Sequence, residues 1–318
     1  MRDDVGIESL TMPEKPVLTT VPASPGGACA CALHSRRRFG TGMLGLLAAG
    51  AAGAQPREGV DVGKASSFSK LVSAEQVEQA AAQQFVQMQQ QARSQRALAP
   101  DNHPQLQRLR FIAERLIPFT AAWNPRAAQW RWEVILIGSL QINAFCLPGG
   151  KIAFFYGILS KLQLSDAEVA MIMGHEMAHA LREHARERMG KSFATRGALS
   201  IGAALLGLGD LGRLAAGMGE QMLTLVFSRS DESEADLVGM ELAARAGYDP
   251  AAGITLWQKM ARASQGAPPE FLSTHPSGNT RIKDIEANLR LVEPLYERAP
   301  KPARRFEPPP PAQAAQRR

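Results

Sequence analysis

Apolar positions along the 318-residue chain recur with two periods. Leu106, Leu109, Ile112, Leu116 and Ile117 follow one another at steps suited to a helix that lays one face on a core. Residues 74–97 are rich in Ala, Gln and Glu and predict a more polar helix, set apart from the next by Pro100 and Pro104. At 130–137 the pattern changes to a run of Trp, Val and Ile, which predicts a strand. Two further short strands are predicted at 141–145 and 152–156, joined by the turn-forming Leu147-Pro148-Gly149-Gly150. Helical periodicity then resumes. Ser165 and Glu168 have capping-box spacing, and the pattern runs unbroken from 167 to about 189. More helices are predicted over 220–246, ended by Gly247 and Pro250, then over 251–263 and 281–293. The fold expected is α+β and mainly helical, with a small antiparallel sheet ahead of its central helix.

Both ends differ from this middle. Ser35-Arg36-Arg37-Arg38-Phe39 precedes an apolar stretch over 40–54 that closes on Ala52-Gly53-Ala54. A basic region, a short apolar core and a small-residue exit make residues 1–54 an export signal. The paired arginines with Phe39 resemble the twin-arginine form of that signal, although Gly40 and Thr41 stand where Leu and Lys are common. About 15 apolar or small residues are short for a membrane span; left uncleaved, they would be an N-terminal anchor. A start at Met12 would shorten the long approach to the arginines. Export predicts a periplasmic protein, with peripheral membrane association compatible. Residues 55–100 are expected as a linker and the polar helix, 101–298 as the main domain, and 299–318, with its four consecutive prolines, as a disordered basic tail.

Charge and cysteine usage narrow the function classes. Of the formal +6, residues 1–54 carry +1 and residues 299–318 carry +4, so the middle is nearly neutral. A basic surface for nucleic acid is therefore not expected. Only Cys146 follows the leader, which removes a disulfide framework and a cysteine-based zinc site. Between Phe145 and Leu147 it reads as a buried, inert thiol.

The candidate chemistry lies in His175-Glu176-Met177-Ala178-His179. Histidines four apart on a helix share a face, and two neutral imidazoles there can hold one Zn²⁺. Glu176, one step round, lies beside the open coordination position and can take a proton from water. Taken alone, the five residues also fit a chance match on an amphipathic helix. A zinc peptidase needs a third protein ligand. His184, five residues beyond His179, falls on another part of an unbroken helix and reads as a surface or second-tier residue. Arg182 and Ala185 stand where a three-histidine pattern would place Gly and His. The better candidate is in Ser228-Arg229-Ser230-Asp231-Glu232-Ser233-Glu234-Ala235-Asp236, where Glu232 and Asp236 share a helix face. Glu232 can offer a carboxylate oxygen, and Asp236 can accept from the non-metal nitrogen of a ligand histidine. Glu234 points elsewhere and reads as structural. Without the histidine pair such an acidic face would equally be a solvated one.

H-E-M-A-H followed by S-R-x-x-E-x-E-A-D resembles the HtpX-like zinc metallopeptidases, peptidase family M48, which are gluzincins. The likeness spans residues 141–290 and includes Asn143-Ala144-Phe145-Cys146-Leu147-Pro148-Gly149-Gly150. Phe271-Leu272-Ser273-Thr274-His275-Pro276-Ser277, with Arg281, is similar to the branch of Oma-type and BepA-type quality-control proteases. The resemblance implies a zincin-type domain with one zinc per chain, held by His175, His179 and Glu232. It makes Glu176 the base and Asp236 the support of a ligand histidine. It also implies that His275 donates to the oxyanion near the cleft, and that Asn143, Ala144 and Phe145 pair with an extended substrate. The function implied is an endopeptidase acting on polypeptides, misfolded envelope proteins above all. The membrane helices of the prenyl-protease branch have no counterpart here, which argues against a prenylated substrate.

The rival readings are a chaperone-like zinc-containing binding protein and a zinc hydrolase for a non-peptide bond. Glu176 beside an open position argues against the first, because structural zinc sites are closed by a fourth protein ligand. The segment 190–227, with a small apolar run at 198–208 between the two ligand helices, is a candidate gate of the cleft, and the sequence alone does not decide it.

Overall fold

The computed structural model describes residues 57–204, 225–264, 269–275 and 279–311, with side chains described outside 196–204 and 279. The expected export signal and most of the candidate gate lie outside these residues. The chain passes through α1 (Ala74–Ser94), α2 (Pro104–Leu116), β1 (Glu133–Ile137), β2 (Ala144–Leu147) and β3 (Lys151–Phe155). It continues through α3 (Tyr156–Leu162), α4 (Asp166–Leu181), α5 (His184–Ala204) and α6 (Arg229–Arg245). α7 (Ala252–Ala263), α8 (Glu270–Thr274) and α9 (Asn279–Arg298) complete it.

Helix α4 is the axis of the domain. Both halves of the capping box form at its start: Glu168 N donates to Ser165 Oγ (3.3 Å), and Ser165 N donates to Glu168 Oε2 (2.8 Å). Every residue from Glu168 through Leu181 is buried, so the helix is enclosed rather than amphipathic. α6 packs along it most extensively, and β2, α2 and α7 cover its other sides. The apolar stripe of α2 lies on this core, with Leu106, Leu109, Ile112 and Leu116 all buried. Each such side chain contributes roughly 1.5–3 kcal/mol of burial. The polar-looking α1 also has a core face: Val77, Ala80, Ala81 and Phe85 pack on Ile135, Ile137, Leu147 and Ala153 of the sheet.

The sheet is small, as expected, but mixed rather than antiparallel. β3 lies in the middle, antiparallel to β2 and parallel to β1, with Glu133 opposite Lys151 and Ile137 opposite Phe155. The connection over 138–143 is the reason. It carries the chain past the place of β3 to lay β2 at the edge, and the Gly149–Gly150 turn then folds β3 back into the gap. Both glycines have positive φ (82° and 76°), and a Cβ on Gly150 would lie 2.7 Å from the Trp132 ring.

The described parts of the stretches expected as linker and tail, 57–70 and 299–311, are packed. Glu241 is fully buried on α6 and accepts from Val60 N (2.9 Å), from Arg245 Nε (2.7 Å) and from Arg57. A buried carboxylate needs such donors, and residues 57–60 supply two of them. At the other end, Phe306 N donates to Asp166 Oδ2 (2.9 Å), while Gln105 and Gln163 donate to the carbonyls of Glu307 and Pro309. Proline-rich backbone makes no internal hydrogen bonds; side chains of α2 and of the turn after α3 satisfy it here.

Candidate metal centre

Two helices bring the acidic and histidine residues together. α4 and α6 cross at Gly174 and Gly239, where a Cβ on Gly239 would come within 2.6 Å of His175 N, and one on Gly174 within 2.7 Å of Gly239 O. This close approach carries Glu232, on the first turn of α6, to the histidines of α4. Ser228 and Asp231 form a capping box that starts α6 just ahead of Glu232. His175 Nε2 and His179 Nε2 are 3.1 Å apart, and each lies 3.5 Å from an oxygen of Glu232.

A second layer of side chains holds these groups. Asp236 Oδ1 faces His175 Nδ1 at 3.0 Å. Arg281 of α9 grips Asp236 with Nε (2.6 Å) and Nη2 (2.7 Å), and its Nη1 lies 2.7 Å from Glu232 Oε2. The guanidinium sits 3.5 Å over the Trp257 ring. Behind His179 the predicted long helix breaks. α4 ends at Leu181, Glu183 adopts φ 58°, and α5 begins at His184. The break turns His184 back beneath His179, their Nδ1 atoms 2.9 Å apart. His184 is thus buried and in contact with the site, not at the surface. Glu234, expected to be structural, faces His184 Nε2 at 3.5 Å and pairs with Arg182.

Burial and charge set the protonation of the cluster. Burial pushes the His175 and His179 imidazoles below their ordinary range, and neighbouring histidines push His179 further. Both are neutral, the form a metal requires. Burial pushes the Glu176 carboxyl up to about 7, opposed by the nearby His275 and reinforced by Glu232. Asp236 is held down at about 2; burial opposes this, but Arg281 and the hydrogen bond with His175 outweigh it. Burial likewise opposes a charged His275, yet Glu176 and Glu232 hold its imidazole above the usual range.

His275 follows α8 and is buried, stacked on Phe271 at 4.5 Å between ring centres. Its Nδ1 is 3.0 Å from Glu232 Oε1 and its Nε2 is 3.6 Å from Glu176 Oε1. The resemblance puts it near the cleft; it also stands among the candidate ligands, since His175, His179, Glu232 and His275 offer donor atoms all within 4.8 Å of one another. The cleft itself is lined by Asn143, Ala144, Phe145, Glu176, His179 and Phe227. Phe227, which stacks on His179 at 3.9 Å, and Arg281's grip on the carboxylates were not read from the residues alone. Cys146 is a buried free thiol whose pKa burial raises well above the ordinary value.

The donor set fits zinc. Tetrahedral Zn²⁺ with bonds of about 2.0–2.1 Å places its donors roughly 3.4 Å apart, close to the 3.1 and 3.5 Å separations seen. Glu176 Oε1 is buried without a hydrogen-bond partner, and Glu232 Oε2 has Arg281 Nη1 at 2.7 Å but no aligned hydrogen bond, so both oxygens have room for a further positive or donor group.

The profile described as peptidase family M48 matches residues 101–289. The chain is similar to the mitochondrial metalloendopeptidase OMA1 of Arabidopsis thaliana, 41% identical over 159 residues, covering 50% of this chain and 32% of that protein. It is also similar to the OMA1 of Schizosaccharomyces pombe, 35% over 192 residues, covering 59% and 54% respectively. A third relative is the β-barrel assembly-enhancing protease of Escherichia coli, 30% over 177 residues, covering 52% and 36%. The chain thus spans between about a third and about half of the length of these curated relatives.

Proposed function

Because this chain belongs to peptidase family M48, we propose that it is a zinc-dependent endopeptidase with Glu176 as general base. The observation that carries this reading is the convergence of His175 Nε2, His179 Nε2 and Glu232 beside a buried carboxylate at the floor of an open cleft. Zinc held there supplies Lewis-acid polarisation of a carbonyl and lowers the pKa of water. The Glu176 carboxylate takes the proton from the attacking water and returns it to the leaving nitrogen. A pKa near 7 suits both transfers. In this reading His275 donates to the developing oxyanion; its Nε2 lying 3.6 Å from Glu176 Oε1 supports that role.

The substrate strand has a seat. Among the described residues β2 pairs only with β3, so one edge of it is free. Phe155 N donates to Asn143 O, which turns the main-chain groups of Ala144 and Cys146 toward that free edge. An extended peptide would add there as a further strand. The Asn143 side chain accepts from Ala144 N at 2.9 Å and yields that donor when the peptide arrives.

The proposed substrates are misfolded proteins of the cell envelope, met in the periplasm. Support comes from the leader over 36–54 and from the likeness to a bacterial β-barrel assembly-enhancing protease; the relatives named mitochondrial work in another compartment. No helix among the described residues is long and apolar enough to cross a membrane. The Glu176→Gln variant tests the whole reading. It should keep one zinc per chain, lose cleavage by about a thousandfold or more, and retain envelope proteins on crosslinking. Cleavage at the parent rate would overturn the assigned base.

A further inference from the structure

His179 has a support that neither its sequence context nor the base assignment calls for. His184 is 1% exposed, and among the described residues it is the partner of His179 Nδ1. One Nδ1 must donate and the other accept, and the surroundings decide which. His179 Nε2 faces His175 Nε2 and Glu232, where a ligand needs its lone pair. Its proton is therefore on Nδ1, and His184 Nδ1 accepts it. That leaves the His184 proton on Nε2, which makes no close hydrogen bond but faces Glu234 Oε2 at 3.5 Å. Glu234 is pinned in turn by Arg182, whose Nη2 donates to the Gly63 carbonyl at 2.9 Å.

We propose that His184 is the positioning residue of His179, doing through a neutral ring what Asp236 does for His175 through a carboxylate. The different chemistry has a physical reason. Glu176, Glu232 and Asp236 already crowd three carboxylates into a buried space, faced by Arg281 and His275. A fourth carboxylate against His179 would add negative charge in a low dielectric. An imidazole instead offers an acceptor without charge and passes the electrostatic support back to Glu234, which is half-buried. The break at Arg182 and Glu183 is what makes this possible. On a continuous helix, positions five apart point about 140° away from each other.

The inference rests on the cluster being a zinc site, and the test separates the two. Zinc dissociation constants are measured by chelator competition for the parent, His184→Phe and His184→Asn. Phenylalanine keeps a ring in the space and removes the acceptor; the asparagine oxygen restores an acceptor close to the Nδ1 position. Loss of an outer partner weakens metal binding by about 10–100-fold, so that loss is expected in His184→Phe, with His184→Asn within about threefold of the parent. The cobalt-substituted protein should show a changed visible spectrum in His184→Phe and the parent spectrum in His184→Asn. A purely structural role would lower the thermal stability of the metal-free protein and leave zinc affinity alone. Glu234→Ala, at a half-buried position, provides a variant that spares the core; it should weaken zinc by several-fold. Equal zinc constants in the parent, His184→Phe and Glu234→Ala would overturn the proposal, as would equal losses in His184→Phe and His184→Asn. Failure of the parent itself to bind one zinc per chain would instead sink the zinc reading.

Discussion

Replacing Arg281 by Met tests the electrostatic frame of the site most directly. The side chain is 3% exposed and holds Asp236 through two contacts of 2.6 and 2.7 Å, with Nη1 2.7 Å from Glu232 Oε2. Methionine roughly fills the volume but leaves two buried carboxylates without their guanidinium. Breaking a buried pair from one side costs about 3–5 kcal/mol. The stacking of the guanidinium on Trp257, about 2 kcal/mol at a desolvated site, is half returned by a sulfur–aromatic contact of about 1 kcal/mol. The metal-free variant should therefore lose about 4–6 kcal/mol, or roughly 8–24 °C in Tm for a domain of this size. Urea unfolding in EDTA, repeated with zinc, reads both terms; zinc restores positive charge beside Glu232 and should narrow the gap. The pH dependence has a definite sign. Asp236 is near 2 in the folded parent, against 3.8 ordinarily. Its contribution is present above about pH 4 and is lost as pH falls toward 2. Without Arg281, burial raises the same carboxyl instead, so the variant gains on the parent as pH falls. A metal-free variant as stable as the parent at pH 7, or a gap that widens on acidification, would refute the reasoning.

Two other perturbations test the scaffold around the site. Alanine at Gly174 or Gly239 normally favours a helix by about 1 kcal/mol, but here the new methyl meets backbone of the facing helix. Separating α4 from α6 should cost about 1–3 kcal/mol and draw Glu232 away from the histidines, so zinc content after dialysis falls along with Tm. A raised Tm with full zinc would show that the two helices can yield. Glu241→Ala leaves Val60 N and Arg245 without their shared acceptor, at a cost of roughly 2–4 kcal/mol. Trypsin should then cut at Arg57, Lys64 or Lys70 under conditions in which the parent is protected; equal protection would mean that the segment is held by other contacts.

What could be read ahead of the structure was local. The stripe of α2, the Ser165–Glu168 capping box and the stop at Gly247, with φ 83°, each depend on residues within a few positions of one another. The pairing of Glu232 with Asp236 was legible for the same reason, since both lie on one face of one helix. The failures are all cases in which a distant group supplies the missing partner. Residues 57–60 carry no strong pattern, and groups far along the chain hold them: Glu241 accepts from Val60 N, Arg245 donates to the Glu58 carbonyl and Arg57 lies over Trp123. The direction of β1 relative to β3 depends on how residues 138–143 cross, which strand periodicity does not encode. His184 is the most instructive case: the spacing allows a surface or a second-tier residue, and the break in the helix at Glu183 makes it the second. Neither Gly nor Pro marks the break. Glu183 takes a left-handed conformation that costs a non-glycine residue about 1 kcal/mol or more, and the surrounding contacts must offset it. Arg186 to the Val72 carbonyl and Arg182 to the Gly63 carbonyl, both made to the N-terminal segment, are contacts of that kind. The turn that brings His184 to His179 and the packing of residues 57–72 are therefore parts of one arrangement, and a pattern confined to a single helix cannot disclose either.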